Sequence, residues 1–178
     1  MNMNVSQRIL FLALSGISSA AMAAEAESSP PNVPTFVSKA AQAGMTEVEV
    51  GKIALAKSKD PAVRGFAERM VKDHTKANEE LTAIASSKGV NPPKKLDAEH
   101  QAMVNSMKAA SGADFDRNYS EHMNMDHTKA IALFESATQA DDAQIAAFAK
   151  KTLPTLKEHK QLAEKLPGQM QAGSAPGG

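Results

Sequence analysis

Five side chains able to hold a cation or move a proton fall where apolar residues are expected. Projected at about 100° per residue, the segment 35–58 has an inward stripe of Phe36, Ala40, Ala43, Gly51 and Ala54, with Glu47 in its middle. His74 sits centrally in the stripe Val63, Phe66, Ala67, Met70, Ala77, Leu81 and Ile84, with Asp73 to one side. Further on, the stripe Phe115, Tyr119, Met123, Ala130, Leu133 and Ala137 has Asp126 at its centre, His122 on its flank and His127 at its border. His159 points inward with Ile145, Phe148, Ala149, Leu156 and Ala163. A buried charge without a partner costs several kcal/mol, so such groups bond one another or a cation. Two carboxylates (Glu47, Asp126) and three imidazoles (His74, His122, His159) suit a divalent ion such as iron, manganese or zinc.

The levels of these groups can be compared along the helices. If the turns near 60 and 141 lie at the same end, Glu47, His74 and Asp126 are a similar number of residues from their turns. His159 and His122 then lie about one helical turn deeper, and all five share one slab. The run His122-Met123-Asn124-Met125-Asp126-His127 also offers thioethers that suit Cu(I). Met123 and Met125 diverge by about 200° on a helix, so copper ranks below the other metals. The absence of cysteine excludes thiolate sites, disulfides and a cysteine-linked lipid anchor.

The elements that must position these residues read almost wholly as helix. No run of alternating β-branched residues is long enough for a strand. Aromatic residues make up only 4% of the chain, which favours close-packed helices over a sandwich. Asp60-Pro61 caps and opens a helix that continues to about Ser87, where Gly89 stops it. Asn91-Pro92-Pro93 is a hard break, and a shorter helix follows over about 97–110. Ser111-Gly112 interrupts the chain before a helix from about Asp114 to Ala140. Asp141-Asp142 then caps the last, over about 143–166, with Pro154 on its outer side. Four long helices and one short crossover helix predict an all-α antiparallel bundle.

The chain starts differently. Arg8 precedes the apolar run Ile9–Ile17, and Ala21-Met22-Ala23 supplies small residues at the cleavage position. This is the pattern of a secretory signal peptide over 1–23; its apolar core is too short to span a bilayer. Residues 24–34 read as a Ser/Pro-rich linker, 35–166 as the bundle and 167–178 as a flexible tail. Twenty basic and 20 acidic residues balance over the whole chain. Neither that balance nor export suits a nucleic-acid partner, and a periplasmic or secreted protein with no membrane span in its mature part is expected.

Several motifs match one family in order. They are Glu47-Val48-Glu49-Val50-Gly51-Lys52-x-Ala54, Asp60-Pro61-x-Val63-x-x-Phe66-Ala67-x-x-Met70-Val71-x-Asp73-His74, Ser111-Gly112-Ala113-x-Phe115-Asp116-Arg117-x-Tyr119, Asp126-His127 and Leu153-Pro154-Thr155-Leu156-x-x-His159. The chain thereby resembles domain-of-unknown-function family 4142, exported bacterial proteins often labelled outer-membrane proteins. The resemblance implies a ferritin-like four-helix bundle and no established activity. Ferritin-like di-iron sites use one Glu on each of two helices and Glu-x-x-His on the other two. Glu47, His74, Asp126 and His159 match one acid and one imidazole of each set. Val71 and Leu156 stand where the bridging acids would be, so a standard ferroxidase centre is not expected.

Two functions of different classes follow. One is an exported metal-binding protein that stores, buffers or senses a transition metal during envelope stress, with Glu47, His74, Asp126, His159 and His122 as ligands. The alternative is a metal-free structural or interaction protein of the envelope whose buried polar network fixes helix register. Oxidoreductase activity would further require a metal with open coordination positions.

Overall fold

The computed structural model describes residues 30–168. The signal peptide read over 1–23 lies outside the described residues, as do most of the linker and of the tail. Five helices follow in order: α1 (Val33–Lys57), α2 (Pro61–Ser87), α3 (Ala98–Ala109), α4 (Gly112–Ala137) and α5 (Ala143–Ala163). There is no strand among the described residues, and no helix is long and apolar enough to cross a membrane.

Local chemistry sets the helix boundaries. The Asp60 carboxylate accepts from the Ala62 and Val63 amides, and Pro61 occupies the first turn of α2. Asp142 caps α5 in the same way through Gln144 and Ile145, and Asp97 caps α3 through His100. Asn32 caps α1 and starts it two residues before the expected Thr35. Gly89 stops α2 at φ +67°, a conformation that favours glycine. Pro154 lies on the exposed side of α5, where its missing hydrogen bond is left to solvent.

The two hairpins, α1–α2 and α4–α5, are the most extensively packed pairs. Lys88, just beyond α2, reaches Asp142 at the start of α5 with Nζ 2.6 Å from Oδ2. At the other end, the Ser120 hydroxyl donates to the Pro167 carbonyl. The turns near 60 and 141 therefore lie at opposite ends of the bundle, not at one end. The reason is the crossover: α3 runs back alongside α1, so α4 starts at the end where α2 started. Two contacts fasten that return. The Gln42 amide donates to the Lys95 carbonyl and accepts from the Asp97 amide. Lys57 donates to the carbonyls of Met107, Lys108 and Ala110, which end α3.

The apolar core is split in two. At the α2–α5 end, Phe36, Phe134 and Phe148 pack with Leu81, Ala85 and Ile145. At the opposite end, Val63, Phe66, Met70, Phe115 and Tyr119 pack with Val50 and Ala163. A polar layer lies between them.

Candidate metal centre

Each long helix contributes to this layer. Glu47 comes from α1, His74 from α2, His127 from α4 and His159 from α5, all buried. The three rings form a triangle. His74 and His127 centroids are 5.6 Å apart, and each lies 5.4 Å from His159. One ring nitrogen from each lies within 4.8 Å of the others.

The remaining nitrogens are tied down. His74 Nδ1 lies 2.8 Å from Glu47 Oε2, His127 Nδ1 2.8 Å from the Met123 carbonyl and His159 Nε2 2.9 Å from Asp73 Oδ2. A carbonyl or a carboxylate can only accept here, so each of these nitrogens carries the proton. The nitrogens left without a partner are His74 Nε2, His127 Nε2 and His159 Nδ1, along with Glu47 Oε1. In the neutral imidazole each such nitrogen presents a lone pair. An imidazole with one N–H held by a carboxylate or carbonyl and its other nitrogen free is oriented as a metal ligand is. Glu47 Oε1 also lies 3.5 Å from His127 Nδ1, an electrostatic contact without a hydrogen bond, so this carboxylate holds the His74 ring and sits beside that of His127. Asp73 is held by Arg69, whose Nε is 3.6 Å away and whose guanidinium also meets Glu158 at 2.8 Å.

The electrostatics follow from burial and from these pairs. Burial alone would raise the Glu47 carboxyl, but His74 and His127 outweigh it and hold it at about 2. Burial pushes His74 down, and the adjacent Glu47 carboxylate more than reverses this, leaving it raised. Burial takes His159 down to about 4 despite its hydrogen bond to Asp73. The layer thus holds an anionic carboxylate, and His74 is the imidazole that balances it when no other cation does.

The sequence-derived candidates divide. Glu47, His74 and His159 lie together in the polar layer, with Glu47 on the Nδ1 side of His74. Asp126 and His122 do not join the triangle. His122 Nε2 lies 3.1 Å from Asp126 Oδ2, and both residues line a groove between α1, α3 and α4. His127, read as bordering its stripe, is fully buried and occupies the position expected for Asp126. The buried face of α4 runs through Tyr119, Met123, His127, Ala130, Phe134 and Ala137. A stripe drawn through Leu133 lands on Asp126; one drawn through the larger Phe134 lands seven residues back on His127. Asp73 was missed because its side chain leaves the stripe and reaches sideways to α5.

The chain belongs to the family described as a domain of unknown function, DUF4142, which matches residues 18–166. No curated protein matches it. Two solved structures are similar. One is the DUF305 fragment from Deinococcus radiodurans, with a TM-score of 0.67 and 17% identity over 76% of this chain and 95% of that one. The other is CopM in its Cu(II)-bound form, with a TM-score of 0.63 and 14% identity over 75% of this chain and 93% of that one. At such identities the likeness concerns the fold, a helical bundle.

Proposed function

We propose that this protein binds a borderline divalent transition-metal ion, Cu(II) or Zn(II), between its two hairpins. His74, His127 and His159 are the ligands, and Glu47 and Asp73 orient them. The observation that carries this is the meeting of three buried imidazoles, one ring nitrogen of each within 4.8 Å of the others, in rings that each hold one nitrogen in a polar contact and keep the other without a partner. Leaving such buried groups unmatched costs about 1–3 kcal/mol apiece, a cost that a bound cation removes. Three imidazoles without a ligating carboxylate favour copper or zinc over the iron and manganese that an oxygen-rich set would suit. The likeness to a protein solved in its Cu(II)-bound form points the same way. With the signal peptide read from the sequence, the reading is of a ferritin-like bundle that buffers or stores such an ion outside the cytoplasm.

The test is metal analysis of untagged protein purified without chelator, followed by titration of the apoprotein with Cu(II) and Zn(II). One ion per chain at the triangle is expected, with stabilisation of about 2.7 kcal/mol when free metal is a hundredfold above Kd. His74→Ala, His127→Ala and His159→Ala should each abolish that stabilisation. Wild-type protein that melts at the same temperature with and without either metal would instead favour the metal-free network, in which the Glu47–His74 pair only fixes how the helices meet.

A further inference from the structure

The groove between α1, α3 and α4 has a volume of about 990 Å³ and is open to solvent. His122 lines it, only 4% exposed. Neither of its ring nitrogens makes a hydrogen bond. Asp126 Oδ2 is within 3.1 Å of Nε2, close enough to share an ion but not aligned to accept from the ring. The other oxygen of Asp126 has only a long contact, 3.9 Å to the exposed Lys129 ammonium. Two thioethers share the groove. Met125, half exposed, stands near His122 and Asp126 on α4, and Met103 lies on the α3 wall. Imidazole, carboxylate and thioether together form a donor set that copper accepts.

The groove's His122 and Asp126 are close enough to the polar layer to feel the charges of Glu47 and His127. Thr46 and Asp126 line the groove, and their immediate chain neighbours, Glu47 and His127, belong to the polar layer. We propose that His122 and Asp126, assisted by the exposed thioether of Met125, form an outer copper site that captures the ion and passes it inward to the triangle. The passage is ligand exchange: water and outer donors leave the ion, imidazole nitrogens replace them, and its oxidation state is unchanged. Capture stands on the groove alone, whereas passage rests on the metal-binding reading of the triangle.

The experiment is a Cu(II) titration of untagged apoprotein followed by calorimetry and electron paramagnetic resonance, with stopped-flow mixing for the rate. Wild type, His122→Ala, Asp126→Asn and His159→Ala are compared after circular dichroism has verified their helicity. Wild type should take two ions per chain, and His159→Ala should keep the outer one alone. His122→Ala and Asp126→Asn should keep the inner one and fill it about tenfold more slowly or worse, in the range that losing metal-supporting groups produces. Asp126 is partly exposed, so its variant guards against a folding failure in His122→Ala. Two ions at the wild-type rate in both groove variants overturns the proposal. One ion in wild type, kept in His159→Ala and lost in His122→Ala, refutes the triangle and leaves the outer site standing.

Discussion

Two layers of this bundle are built from the same four helices and have nearly the same ring geometry. In the aromatic layer, Phe36, Phe134 and Phe148 sit with centroids 5.1 to 6.3 Å apart in edge-on and tilted contacts. In the polar layer, His74, His127 and His159 sit 5.4 to 5.6 Å apart in similar orientations. The first is complete, since carbon meets carbon and nothing is left unmatched. The second is filled in shape but open in chemistry, because each ring keeps one nitrogen with nothing to bond. Packing alone therefore does not explain why histidine occupies the second layer. Leucine or phenylalanine would fill it without the polar penalty.

Substitutions can pull this contrast apart, beginning with the most damaging. Phe36→Ala should cost about 3–5 kcal/mol by opening a cavity, read by chemical denaturation, while Cu(II) affinity stays unchanged. Glu47→Ala should cost the apoprotein about 3 kcal/mol, because it strands His74 without its buried partner. The double change Glu47→Leu with His74→Leu should recover that loss or exceed it, and still leave the triangle unable to bind metal. A double variant as unstable as Glu47→Ala would show that the pair supports the fold by more than charge balance. Asp73→Asn should weaken metal binding by about 10–100-fold through His159, with little change in the melting temperature of the apoprotein.

The smallest effect is on pH dependence. His159 has a folded value of about 4 against an ordinary 6.5, so its contribution is complete above 6.5 and lost as pH falls toward 4. Glu47, at about 2 against 4.5, adds a loss between 4.5 and 2. His74, being raised, has the opposite sign: it stabilises below 6.5 and weakens as pH climbs through its folded value. The apoprotein should thus lose about a few degrees of melting temperature between pH 6.5 and 4. His159→Phe should shrink that segment to the share left by His122, whose imidazole burial also lowers, and keep the one below 4.5.

Much of this arrangement was legible in the sequence because helices announce themselves by period and caps. Asp60-Pro61 and Asp142 marked their helix starts, and Glu47, His74 and His159 stood out as polar residues within apolar stripes. The choice between Asp126 and His127 was not legible in the same way. Neighbouring residues differ by only about 100°, and the choice turned on whether Leu133 or Phe134 defined the buried edge. Hairpin direction was hidden too, since the path of the crossover depends on long-range contacts at Gln42 and Lys57. That error mattered little for the site. Glu47 and His74 lie near the middles of α1 and α2, and a midpoint keeps its level when the hairpin is turned over; His159 lies toward the C-terminal end of α5 and meets His74 in the hairpin direction observed.

The fastening of α3 to α1 at both of its ends has a mechanical consequence. It makes the chain two unequal bodies, one of three helices and one of two, whose seam passes through the histidine triangle and along the groove. An ion seated in the triangle would rivet those bodies together. Amide exchange across the seam, more than within either body, should then slow when copper arrives.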